Sequence, residues 1–181
     1  MKDRKLTNAE LGRLSADQYR DLPPDGVAVV LDNVRSAHNV GSAFRTADAF
    51  KVDGICLCGI CAQPPSAELH KTALGAEMSV PWKHYDNTID AVEELRAEGY
   101  VIVSVEQTEH SCSLEKFNPE PSARYAFIFG NEVEGVQQEV VDASDMSLEI
   151  PQWGTKHSLN VSVSVGVVLW QTKSSIITKL T

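Results

Sequence analysis

Strands and helices alternate along nearly all of this chain, and that order predicts one α/β domain with a mainly parallel sheet and helices on both faces. Two observations carry the expectation. Short apolar runs of strand length recur, "VAVVLD" from Val27, "GICLCGI" from Gly54, "YVIVSV" from Tyr100 and "YAFIFG" from Tyr125. Between them lie segments whose apolar residues repeat at helical spacing. The length of 181 residues, with 43% hydrophobic and 23% charged, suits a single domain around one core.

Thr7-Asn8-Ala9-Glu10 has the capping-box pattern ahead of Leu11 and Leu14, so a short N-terminal helix is expected there, ended by Pro23, Pro24 and Gly26. Residues 1–26 read as an extension and 27–181 as the domain. The first strand emerges at Asp32. A helix near Asn39 follows, with Val40, Ala43, Phe44, Ala47 and Phe50 on one face. After the second strand and Pro64-Pro65, "AELHKTALGA" reads as a short helix. "TIDAVEELRAEG" is amphipathic, with Ile89, Val92 and Leu95 inward and Gly99 at its C-terminal cap. "VQQEVVDA" reads as helix, "MSLEI" as a short strand and "SLNVSVSVGVVLWQ" as a closing helix. No internal repeat or linker divides the chain.

The N-terminus has no signal-peptide character, and no apolar run approaches the ~20 residues that span a bilayer, so a cytoplasmic protein with no membrane partner is expected. Cys56, Cys58 and Cys61 crowd one apolar segment without a fourth ligand at zinc spacing, which favours reduced structural cysteines and no metal. The net charge of −9 argues against a basic surface throughout. It is unevenly distributed: residues 106–149 hold ten acids against Lys116 and Arg124, whereas residues 150–181 carry +3. A modest positive face remains feasible if the termini, with Lys2, Arg4, Lys5, Arg13 and Arg20, meet the Arg35/Arg45 segment.

Three polar stretches each follow a strand and enter a helix. They are Asp32, Asn33, Arg35, Asn39 and Arg45; Gly130, Asn131, Glu132 and Gly135; and Gly154, Lys156, Ser158 and Asn160. At corresponding strand ends of an α/β sheet such loops converge on one crevice. None is a P-loop or a dinucleotide fingerprint. Ser158 has two readings from local sequence, a nucleophile served by a nearby histidine or the N-cap of the closing helix; no nucleophile elbow surrounds it, so the cap is preferred. Arg45 read in isolation is a surface helix charge opposite Asp48.

In order, spacing and residue type, "HNVGSAFRTADAF", "FGNEVEG" and "IPQWGTKHSLNVSVSVG" resemble the three motifs of the SpoU/TrmH branch of the SPOUT superfamily, RNA ribose 2′-O-methyltransferases. The resemblance spans residues 27 to about 170. It implies an α/β fold closed by a C-terminal deep trefoil knot, a homodimer, and S-adenosylmethionine as methyl donor. It also implies main-chain contacts to adenine near Gly130, Ile150 and Leu159, with Ser158 and Asn160 beside the cofactor. Arg45, Asn39, Glu132, Ser158 and Asn160 match the family's catalytic and polar positions. The sequence departs from the pattern at Val133, where glycine is common, and at Gln152 and Trp153.

The resemblance makes RNA the expected substrate. With only 26 residues ahead of the first strand, compact tRNA is favoured over rRNA. Two other classes stay open: a fold of this kind that binds RNA or cofactor with little catalysis, and an unrelated nucleotide-binding α/β enzyme. The apolar "VSVSVGVVLW" helix reads equally as a subunit contact or as a core helix.

Overall fold

The computed structural model describes residues 3–7 and 9–180, so Lys2 and the Asn8 of the capping pattern lie outside the described residues. Seven strands form one sheet in the order β3-β2-β1-β6-β4-β7-β5, and every pairing is parallel. The strands are β1 (Val27–Asp32), β2 (Gly54–Cys58), β3 (Trp82–Tyr85), β4 (Tyr100–Val105), β5 (Cys112–Ser113), β6 (Arg124–Phe129) and β7 (Met146–Glu149). The helices are α1 (Ala16–Asp21), α2 (Ala37–Ala49), α3 (Ala67–Ala73), α4 (Ala76–Ser79), α5 (Thr88–Ala97), α6 (Gln138–Ala143) and α7 (Val161–Leu180).

All six residues of β1 are buried, as a central strand covered on both faces requires. Their period of two sorts them between layers. Val27, Val29 and Leu31 join Val40, Phe44, Val165 and Leu169 from α2 and α7, while Ala28 and Val30 join Ala91, Val92 and Leu95 of α5 and Val140 of α6. Helices therefore cover both faces, and the closing helix packs on the same side as α2.

The N-terminal helix departs from its expected place. Glu10 does reach back to the Thr7 backbone N–H and hydroxyl, but Gly12 at φ 59° turns the chain before a helix can propagate. Helix α1 starts four residues later behind a second capping box, Ser15 with Gln18, and it buries Tyr19, whose hydroxyl donates to the Val52 carbonyl at 3.1 Å. "AELHKTALGA" divides into α3 and α4 because Leu74 and Gly75 are both left-handed. The cysteine-rich strand is interior. Burial drives the Cys56 thiol up to about 12 and Cys61 to about 11, and Cys61 Sγ bonds to backbone at Leu31 and Val34. Among the described residues no helix is long and apolar enough to cross a membrane.

Candidate active site

The polar stretches leave the C-terminal ends of β1, β6 and β7, which make a run of four adjacent strands with β4, lying between β6 and β7. The loop from Ile150 to Asn160 starts at the end of β7. It is tied to the end of β4 where Gln107 Nε2 donates to the His157 carbonyl at 2.7 Å, and it finishes beside α2. Loop and strand ends enclose a cavity of about 560 Å3. Leu148, Ile150, Leu159, Val105 and Phe129 supply apolar wall, with Glu106, Asn131, Glu132, Ser158 and Asn160 as polar groups.

Two hydrogen bonds join one residue from each motif. Asn39 Nδ2 donates to Glu132 Oε1 at 2.6 Å, and Asn160 Nδ2 donates to Asn39 Oδ1 at 3.1 Å. Helix ends orient both asparagines. Ser36 caps α2 by accepting from the Asn39 N–H, and Asn160 Oδ1 accepts the N–H of Ser162 at 2.9 Å. Burial alone would raise the Glu132 carboxyl, but the Asn39 amide and nearby backbone N–H groups, including that of Arg35, outweigh it and hold the carboxyl below the ordinary carboxylate value.

The cap of α7 is therefore Asn160 and not Ser158, whose exposed side chain lines the cavity. An amide at the N-cap satisfies an early helix N–H as well as serine does, and the helix starts at Val161, too far on for Ser158 to reach. Gly130 and Ile150 line the cavity with Leu159. A Cβ on Gly130 would lie 1.9 Å from the Gly135 carbonyl carbon, so the following turn folds directly against its α-carbon. That turn is held by Asn131 Oδ1, which accepts the N–H groups of Val133 and Glu134, each at 2.9 Å. Positive φ falls on Gly135, at 72°, and not on Val133. The valine at that position thus costs no backbone strain; its side chain is exposed.

Arg45 is the one candidate that stands apart. It is exposed on α2, outside the cavity lining, and has no hydrogen-bond or ion-pair partner among the described residues, so the expected pairing with Asp48 does not form. Trp153 is 89% exposed and lines a second cavity beside α7, outside this one.

Asp32 and Asn33, which the sequence places in the first polar stretch, turn out to be the support beneath the site. Asp32 is fully buried: its Oδ1 accepts from Thr88 Oγ1 at 2.6 Å and from Asn33 Nδ2, and its Oδ2 accepts the Gln137 N–H at 2.8 Å. Asn33, left-handed at φ 56°, also donates to Gln137 Oε1 and accepts the Ile60 N–H. The end of β1, the turn after β2 and the starts of α5 and α6 are thereby fastened together. Sequence reasoning passed over Glu106 and Gln107, although the signal was present: "EQ" leaves the apolar run of β4 as the three motifs leave theirs.

Comparison with known proteins agrees with this arrangement. The profile of the SpoU rRNA Methylase family matches residues 26–170, and the chain belongs to that family. It is 32% identical over 163 residues to the 23S rRNA (guanosine-2'-O-)-methyltransferase RlmB of Neisseria meningitidis, covering 90% of this chain and 64% of that protein. RlmB of Nitrosomonas europaea is 33% identical over 158 residues, covering 86% and 59%. The chain thus spans less than two thirds of these relatives. Among solved structures, the AdoMet-bound rRNA methyltransferase of Sinorhizobium meliloti superposes with a TM-score of 0.77 at 30% identity, covering 86% of this chain and 59% of that one. The A. aeolicus TrmH/SpoU tRNA modifying enzyme gives 0.77 at 26% identity, with 91% and 83% covered. These likenesses establish the SPOUT-type α/β fold.

Proposed function

We propose that this chain transfers a methyl group from S-adenosylmethionine to a ribose 2′-hydroxyl of RNA. The observation that supports it most is the pair of hydrogen bonds joining Glu132, Asn39 and Asn160 across the mouth of one cavity, because it brings all three motifs together. The cavity fits the cofactor: 560 Å3 is the size of a small-molecule site, and its apolar wall from Val105, Phe129, Leu148, Ile150 and Leu159 accompanies a larger polar share whose glutamates, Glu106, Glu132, Glu134 and Glu149, suit a ligand that carries a sulfonium charge. Gly130, Ile150 and Leu159 would hold the adenine by main chain, with Ser158 and Asn160 beside the rest of the molecule. When bound, S-adenosylmethionine supplies a methyl on a sulfonium, a leaving group that departs as a neutral thioether.

The chain's own task is alignment and proton removal. The Glu132 carboxylate at the mouth would hold the ribose hydroxyl in line with the methyl and its sulfur leaving group and would orient the water that takes the hydroxyl proton. Asn39 fixes that carboxylate, and Asn160 fixes Asn39. Positioning of this kind supplies several kcal/mol of the acceleration. Arg45 is exposed on α2 and lies outside the cavity lining, a position that supports a bidentate grip on an RNA phosphate.

The proposal extends to the whole protein. The loop Ile150–Asn160, running from β7 across β4 to α2 before the chain enters α7, is the segment that would form the trefoil knot. A second cavity of about 550 Å3, lined by Trp153, Val163, Gly166, Val167 and Trp170 along α7, would be covered by the other subunit of a homodimer. Residues 27–181 form the catalytic domain and 1–26 the extension, acting in the cytoplasm. Both tRNA and rRNA are candidate substrates, with tRNA taken first: the A. aeolicus TrmH/SpoU enzyme is a tRNA modifying enzyme, and the RlmB proteins and the S. meliloti enzyme are rRNA methyltransferases.

The test is incubation with labelled S-adenosylmethionine and separate pools of unmodified tRNA and rRNA. Label recovered after alkaline hydrolysis in dinucleotides, which form only where a 2′-oxygen is blocked, supports the reading. Cofactor binding without transfer to either pool would favour a binding protein instead.

A further inference from the structure

We infer that Glu106, at the C-terminal end of β4, reads the ribose of the cofactor's adenosine by accepting hydrogen bonds from its 2′- and 3′-hydroxyls. The inference rests on the methyltransferase reading of the cavity and adds to it a side chain that recognises the sugar.

The carboxylate is held in place from two sides. Its Oε2 accepts the Val136 N–H at 3.0 Å and its Oε1 accepts the Gln107 N–H at 2.8 Å. A Cβ on Gly135 would fall 2.2 Å from Oε2, so the carboxylate packs directly against the α-carbon of Gly135. Two carboxylate oxygens offer about four acceptor sites, and the two backbone donors use half of them. The remainder belong to a group that lines the cavity.

An ionised carboxylate accepts and cannot donate, so it requires donors from the ligand. Glu106 leaves β4, Asn39 begins the helix after β1, and β6 runs between them. At the usual strand spacing this sets the end of β4, with Glu106, on the order of 10 Å to the side of the end of β1 that leads to Asn39, away from the end where the methyl is transferred. The adenosine end of the ligand therefore faces it. With the adenine served by main chain at Gly130, Ile150 and Leu159, the neighbouring pair of ribose hydroxyls supplies two donors at a spacing that suits two carboxylate oxygens.

The experiment is calorimetric titration with S-adenosylhomocysteine and its 2′-deoxyadenosyl counterpart, on the wild type, Glu106→Ala and Glu106→Gln. Glutamine keeps an acceptor for the Val136 N–H and guards against loss of the loop; circular dichroism checks both variants. The wild type is expected to prefer the ribose form by about tenfold or more, the scale of a hydrogen bond to a charged group. In Glu106→Ala that ratio is expected to fall towards one, and in Glu106→Gln to fall in between. A uniform weakening from a disturbed loop would leave the ratio unchanged, so the ratio isolates sugar recognition. A wild type that does not discriminate, or a preference that survives in Glu106→Ala, overturns the inference alone. A wild type that binds neither ligand overturns the cofactor reading along with it.

Discussion

Asn39 occupies the middle of the hydrogen-bonded chain, accepting from Asn160 and donating to Glu132, so its removal separates all three motifs at once. Asn39→Ala is expected to lower the rate of methyl transfer about a hundredfold, comparable to losing one positioned donor in an active site, while changing S-adenosylmethionine affinity far less. Single-turnover rates set against calorimetric affinities would detect the reverse pattern, which would make Asn39 a cofactor ligand. Glu132 gives a pH expectation with a definite sign. Its folded carboxyl is held below the ordinary value of about 4.3, so the stabilising contact is complete above that pH and is lost as pH falls further, through the folded value. The stability difference between wild type and Glu132→Gln should therefore be constant from neutral pH down to about 5 and shrink only in stronger acid; a difference that changed near pH 7 would contradict the assignment. Most of these residues were legible in the sequence because motif residues follow strands, and strand ends converge. The division of roles was not. Ser158 and Asn160 are both good N-caps, and only the start of α7 at Val161 decides between them; at the 131–135 turn, Asn131 and Gly135 take up the geometry that Val133 could not.

Helices α2 and α3 lie so close that a Cβ on Gly41 would come within 2.2 Å of the Leu69 carbonyl oxygen and of Thr72 Oγ1. Gly41→Ala is expected to destabilise the protein by about 1–3 kcal/mol, since backbone has to move to admit the methyl. Thermal unfolding would measure it, and an unchanged midpoint would show that the two helices separate readily. The buried strands and the amphipathic α5 were legible because continuous apolar runs and 3.6-residue spacing are strong signals. Strands β3 and β5 were not. Trp82 and Lys83 of β3 are exposed and β5 has only two residues, so neither presents an apolar run. At the N-terminus two capping boxes follow one another, and Gly12 decides which of them starts a helix.

At the scale of the whole molecule, the proposed function would bring an acidic protein to a polyanion, and α7 leaves apolar surface uncovered: Val163 and Trp170 are 50% and 63% exposed. If the proposed homodimer covers this face, wild type should sediment as a dimer and Val167→Glu as a monomer, because a charge in an apolar contact is costly to desolvate. Equal sedimentation of the two would place the contact elsewhere. The parallel, two-faced architecture could be read from the alternation of elements, but the ordering of β1 beside β6 could not, because strand order depends on crossovers that leave no local pattern. The central claim is that these residues form a methyl-transfer site in which Arg45 acts on RNA, outside the cofactor cavity. Its most direct test compares wild type, Arg45→Ala and Arg45→Lys for labelled transfer to an accepted RNA and for S-adenosylmethionine affinity. Alanine is expected to abolish transfer, lysine to restore only a small part of it, and both to bind the cofactor as wild type does; near-normal transfer by Arg45→Ala would contradict the claim.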